Sequence, residues 1–199
     1  MKPPGENSWE AWSPDKLAAY LGGAKGHWYI VGGWALDLWQ GEQRREHEDL
    51  EFATRPEDAL EMAECLSGLT FFEAKAGTLR AADPRTQIPE ETWQYWGADL
   101  EAGRWRVDMM LERGTHSHWI YKRDPTISQP RDLAIRTNPN GIKYLSPANV
   151  LLFKAKHLRL KDHDDFESAL PKLSDDDRAF LRQWLAYSQP DHEWLQRLI

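Results

Sequence analysis

WYIVGGWALDLWQGEQRREHEDLEFAT, residues 28–54, decides how this chain folds. Its apolar opening, Trp28-Tyr29-Ile30-Val31, ends in Gly32-Gly33. A short helical pattern then runs from about Trp34 to Trp39, the polar stretch GEQRREHE reads as a loop, and Asp49-Leu50-Glu51-Phe52 alternates acid with apolar residue. The pattern predicts strand, glycine turn, helix and second strand in that order, with the second strand over Asp49 to Ala53. Residues i and i+2 of a strand share a face, so Asp49 and Glu51 point one way while Leu50 and Phe52 enter a core. Two carboxylates side by side repel each other unless a cation lies between them. A hard divalent ion with oxygen ligands, magnesium foremost, suits such a pair.

Outward from this stretch the patterns alternate. Ser13-Pro14 introduces a helix to about Leu21, Arg55-Pro56 opens one to about Leu66, and Thr70 to Ala74 and Thr78 to Ala82 read as strands around Gly77. A Trp-rich region without clear period follows. Trp105 to Leu111 then alternates again, placing Trp105, Val107 and Met109 on one face and Arg106, Asp108 and Met110 on the other. Trp119 to Lys122 and the segments flanking Asn138-Pro139-Asn140-Gly141 predict further strands or a hairpin. From Ser146-Pro147 onward the pattern is helical, with helices at about 147–160, 162–170, 174–187 and 191–198 and cap signals at Ser146, Ser174 and Asp191. The expected organisation is α+β: a mixed strand-helix lobe over residues 1–145 and a helical lobe over 146–199.

Composition bounds the function. With 199 residues, 41% of them hydrophobic, the chain can bury a sizeable core. MKPPGENSWEAWSP has no apolar secretory core and no apolar run is long enough to span a membrane, so a cytoplasmic location is expected. The single cysteine, Cys65, lies in a helical pattern and fits a reducing compartment. A net charge of -7 argues against nonspecific nucleic-acid binding, which draws its affinity from Lys and Arg on phosphate, and suits a cationic small substrate better. Eleven tryptophans are core payload first; their number leaves room for a homodimer through aromatic patches.

Alone, Gly-Gly after a strand is a tight turn, and acid-x-acid on a strand is a solvated face. Together and in this order, Val31-Gly32-Gly33, Asp49-Leu50-Glu51 and Val107-Asp108-Met109 match a pattern. The chain resembles the polymerase-beta-like nucleotidyltransferases, and GGWALDLWQG, RREHEDLEFA and LLFKAKHLRLKDHDDF resemble the aminoglycoside 2''-adenylyltransferase-like branch. Glu51 replaces the aspartate of many relatives, a change the pattern admits and one that could alter metal spacing or preference. The resemblance implies a nucleotidyltransferase fold, a mixed sheet flanked by helices and followed by a helical lobe. It also implies transfer of a nucleoside monophosphate, AMP from ATP, to a hydroxyl of a small acceptor such as an aminoglycoside.

On that reading Asp49, Glu51 and Asp108 are the catalytic residues and the metal ligands. Asp49 and Glu51 would bridge two Mg2+ ions about 3.5 to 4 Å apart, and Asp108 would complete the catalytic-metal shell and is also the candidate base for the acceptor hydroxyl. Gly32 and Gly33 let the backbone approach the triphosphate beside a helix N-terminus, and Arg45 and Lys154 are the candidate phosphate contacts. Lys154, His157 and Lys161 share one helical face at i, i+3 and i+7. His47 reads as a hydrogen-bonded structural residue or a loop orienter, Asp162 and Asp165 as architectural, and Glu112 as a receiver for a cationic amino group. A toxin-type transferase acting on tRNA or protein, and a noncatalytic nucleotide-binding module, are the alternatives.

Overall fold

The computed structural model describes residues 1–198. Helix α1 (Pro14–Leu21) is capped by Ser13, whose hydroxyl accepts from the Lys16 amide at 3.2 Å. It is followed by β1 (Trp28–Ile30), α2 (Gly32–Gln40), β2 (Glu51–Thr54), α3 (Ala59–Cys65), β3 (Thr70–Lys75) and β4 (Thr78–Ala81). Next come β5 (Gln94–Asp99), β6 (Arg104–Leu111), β7 (His118–Ile120), β8 (Ser128–Pro130), the single turn α4 (Arg131–Ala134), β9 (Ile135–Thr137) and β10 (Lys143–Leu145). The C-terminal helices are α5 (Pro147–Lys154), α6 (Leu160–Ala169) and α7 (Asp175–Ser188).

Eight strands form one mixed sheet in the order β4-β3-β5-β6-β2-β1-β10-β9, while β7 and β8 pair separately. β2 lies parallel to β6 and antiparallel to β1, and the antiparallel neighbours β5 and β3 continue beyond β6. Leu50, Phe52, Val107 and Met109 are fully buried, as the alternation predicts. The first half of β6 is edged by the N-terminal segment: Trp105 donates to Ser8 O, and Glu10 and Trp12 donate to the carbonyls of Trp105 and Arg106. Trp9, Trp96, Phe72 and Trp105 pack there edge to face in a small second core.

Several boundaries differ from expectation. β5 fills the region without clear period: Tyr95 and Gly97 are buried and Gln94 and Trp96 half-buried, but an irregularity between Gly97 and Ala98 breaks the alternation. Residue 97 is glycine there because the Val107 side chain occupies the space of a Cβ. The second strand begins at Glu51, so Asp49 stands in the loop just before it. Helix α2 begins at Gly32, two residues early, with Gly32 in the left-handed region at φ 63°. Helix α5 stops at Lys154 where one helix to residue 160 is expected, so Lys161 belongs to α6 and does not continue the face of Lys154. The final helix is one 3-10 turn over Glu193–Gln196, capped by His192. Ser174 caps α7 as read, accepting from the Asp177 amide at 3.2 Å, whereas Ser146 makes no side-chain cap bond. Among the described residues no helix is long and apolar enough to cross a membrane.

Candidate active site

Parallel register brings the acids together. Glu51 on β2 is directly opposite Asp108 on β6, the Asp108 amide donates to Leu50 O at 2.8 Å, and the Val31 amide donates to Glu51 O at 3.0 Å. Neighbouring strands lie about 4.8 Å apart, so two carboxylates in register on one face are adjacent. Asp108 is 5% exposed. Its Oδ2 accepts from the Trp96 indole at 3.0 Å and from the Gln94 amide at 3.3 Å, whereas its buried Oδ1 has no partner.

The electrostatics record the crowding. Burial first, then the charge of Asp49, pushes Glu51 up to about 7, against the pull of Lys154, Arg159 and Lys161. Burial, then Glu51 and Asp49, holds Asp108 well above the ordinary carboxylate range. Glu51 and Asp108, both raised by burial and by the nearby Asp49 charge, one with an orphaned buried oxygen, are with Asp49 a donor set suited to a divalent cation. They do not yet converge on a point: among the described residues no three His, Cys, Asp or Glu side chains are gathered closely enough to hold an ion, and Asp108 leans toward Trp96.

The diglycine turn is shaped around the same acids. A Cβ on Gly32 would overlap the Glu51 carboxylate, and one on Gly33 would overlap the guanidinium of Arg45 and the ring of His47. His47 is structural: its Nε2 lies 2.6 Å from Asp37 Oδ2, and its ring stacks on Trp34 at 4.3 Å. The loop leading to Asp49 is thereby fixed to α2.

Arg45 and Lys154 reach the site but their charges are already engaged. Arg45 donates to both oxygens of Asp165 at 3.1 and 3.2 Å, and Lys154 Nζ lies 2.8 Å from Asp165 and 3.0 Å from Asp162. Arg159 pairs with Asp162 at 2.8 Å, and Lys161 with Glu48 at 3.1 Å. Burial pushes Asp162 up, but its hydrogen bonds from Arg159 and Lys154 outweigh that and hold it at about 2; Arg45 and Lys154 likewise keep Asp165 low against its burial. Asp162 and Asp165 are architectural, as the sequence suggests: Asp162 ties α5 to α6, and Asp165 anchors the loop before Asp49 to α6 through Arg45.

A cavity of about 350 Å³ runs along the sheet face from this centre. Gly32, Glu51 and Lys154 line it, whereas Gly33, Arg45, Asp49 and Asp108 do not. Tyr29, Trp119 and Glu112 also line it. Glu112 is 8% exposed, accepts from the Gly114 amide, and lies 2.7 Å from Arg131, so it is not free to receive an amino group. Sequence reasoning missed Trp93, Lys122 and Arg113 on this wall. Trp93 lies in the segment without period, and nothing in its neighbours marks it.

Residues 15–84 match the family model described as Aminoglycoside-2''-adenylyltransferase, a span holding the diglycine turn, Asp49 and Glu51 but ending before Asp108. A comparison with curated proteins gives no match. Among solved structures, the crystal structure of ANT(2")-Ia in complex with adenylyl-2"-tobramycin is similar at TM-score 0.58 and 12% identity, over 87% of this chain and 95% of that one. The lincomycin-bound lincosamide antibiotic adenylyltransferase LnuA is similar at TM-score 0.55 and 15% identity, over 83% and 96%. The solution structure of ANT(2'')-Ia gives 0.52 and 14%, over 89% and 92%. At these identities the structures speak for the fold, which extends past the family-model match to the strand that carries the third acid. The chain thus shares the fold of these adenylyltransferases, and its residues 15–84 are similar to the aminoglycoside-2''-adenylyltransferase family model.

Proposed function

We propose that this enzyme transfers a nucleoside monophosphate, AMP from ATP, to a hydroxyl of a small acceptor in the cytoplasm, with the sheet lobe (1–145) supplying the chemistry and the helices after residue 145 closing the site. The reading is carried by one observation: Glu51 and Asp108 stand in parallel register beside Gly32, each with a raised proton affinity that Asp49 adds to. Asp49, Glu51 and Asp108 would hold the magnesium ions, two by the branch pattern, whose charge offsets that of the acids and of the phosphates.

The chain's own residues do the rest. Gly32 and Gly33 leave the backbone bare at the start of α2, where unpaired amides face anionic oxygens. The unpartnered Oδ1 of Asp108 is the atom that takes the acceptor's proton. Lys154, at the cavity wall, adds positive potential at the phosphate end while Asp165 holds it and Arg45 in place. The test is incubation with Mg2+, α-labelled ATP and a panel of aminoglycosides, lincosamides and tRNA, beside Asp49→Ala and Asp108→Ala. Label is expected on a small acceptor, only with Mg2+, and in neither variant. Transfer that survives either substitution removes that residue from the mechanism, and label on tRNA moves the reading to the toxin-type alternative.

A further inference from the structure

Resting on that reading, the cavity narrows the acceptor. Its walls are aromatic and aliphatic, with Trp93, Trp119, Tyr121, Phe153, Met110 and Val150 facing the space. Every acid on them except Glu51 is already matched: Glu112 by Arg131 at 2.7 Å, Asp162 by Lys154 at 3.0 Å and by Arg159 at 2.8 Å. The cations are not all matched. Lys122 and Arg113 flank the Trp93 ring at 4.7 and 5.0 Å, and among the described residues neither has a carboxylate partner. Arg113 spends donors only on the carbonyls of Pro89 and Thr92.

A buried charge must be paired or it costs several kcal/mol, and a like charge nearby adds repulsion. A polyamine in this cavity would find one acid, Glu51, which belongs to the reaction centre, against Arg113, which has no carboxylate partner, and the exposed Lys122. The acidic balance of the whole chain, which favours a cationic substrate in the sequence, does not extend to this wall. We propose that the cavity is the acceptor pocket and that it takes an aromatic- or apolar-bodied alcohol carrying no positive charge. Such a molecule packs among Trp119, Tyr121 and Phe153 and presents its hydroxyl toward Glu51. Tyr29 and Glu112 also line the cavity, with Glu112 held by Arg131 at 2.7 Å.

Occupancy can be read without turnover, so it separates from the test of the transfer reaction. The probe is 8-anilinonaphthalene-1-sulfonate, an anionic aromatic whose emission rises in apolar surroundings, titrated into the folded protein. Saturable binding is expected, weakened tenfold or more in an Arg113→Glu/Lys122→Glu variant that keeps the wild-type circular dichroism, and undisturbed by millimolar tobramycin or by Mg·ATP. The same double variant is expected to gain tobramycin binding by calorimetry. Displacement by tobramycin from the wild type, displacement by Mg·ATP, or equal probe binding in the variant would each overturn the assignment, the second by making the cavity a nucleotide pocket.

Discussion

Gly32→Ala tests the geometry of the site against an internal control. Gly32 has φ 63°, and a Cβ there would overlap Glu51 Oε2; Gly41, at the other end of α2, has φ 81° and open space where a Cβ would go. Both substitutions force an L-residue into the left-handed region, which costs about 1–2 kcal/mol. For a chain of this size that is a fall of roughly 2–8 °C in melting temperature. Only Gly32→Ala must also move the Glu51 carboxylate, and displacing a reacting group by about 1 Å can cost about a hundredfold in rate. Both variants are therefore expected to lose similar stability, while Gly32→Ala alone loses transfer by about a hundredfold and needs more Mg2+ for thermal stabilisation. Label transfer and a Mg2+ titration followed by melting temperature read both quantities. If Gly32→Ala transfers as well as Gly41→Ala, Glu51 is not a ligand held by that turn.

Removing one charge from the acidic trio should separate activity from stability: Asp108→Asn is expected to abolish transfer yet raise the melting temperature of the metal-free protein, because it relieves a buried carboxylate crowded by Glu51 and Asp49. A lower melting temperature would contradict that electrostatic account. Glu51 is pushed up from 4.5 to about 7, so the folded state binds the extra proton between those values; metal-free stability should fall as pH rises through that window, and Mg2+ should restore more of it at pH 8 than at pH 5. A Mg2+ effect that does not grow with pH would refute the coupling. Asp165→Ala strips Arg45 of both its side-chain acceptors and Lys154 of one of two, and breaking one partner of a buried ion pair costs about 3–5 kcal/mol. Denaturant unfolding should show that loss, and a cost below about 1 kcal/mol would mean that solvent carries the pairing.

The acids were legible because strand periodicity carries which face a side chain takes: Leu50 and Phe52 inward, Glu51 and Asp108 on the opposite face. Asp49 was misplaced by one step, since the alternation of Asp49 and Glu51 continues through the loop although the ladder does not begin until Glu51. Which strands lie side by side was not legible from periodicity. The parallel pairing of β2 with β6 joins residues 57 positions apart, Glu51 and Asp108, and only the resemblance to a family pattern supplied it. Trp93 on the cavity wall comes from the segment without period, and Lys122 ends a stretch that reads as a strand but carries no mark of a site.

The reading of Lys154 shows where periodicity misleads. Lys154 and Asp162 are eight residues apart; on one unbroken helix they would stand about 12 Å apart along the axis and could not pair. The chain breaks the helix after Lys154, turns through residues 155–159, and starts α6 at Leu160 with Asp162 in its first turn, where the carboxylate accepts from the Arg159 amide at 3.2 Å. A carboxylate there also opposes the positive end of the helix. The turn brings Nζ to 3.0 Å from Asp162 and 2.8 Å from Asp165, and Asp165 reaches Arg45 across 120 residues of sequence. What reads as a lysine stripe free to meet phosphate is thus a clamp. Its cations are held by two aspartates so that the loop bearing Asp49 keeps its place, and the positive field at the phosphate end is a by-product of that anchoring.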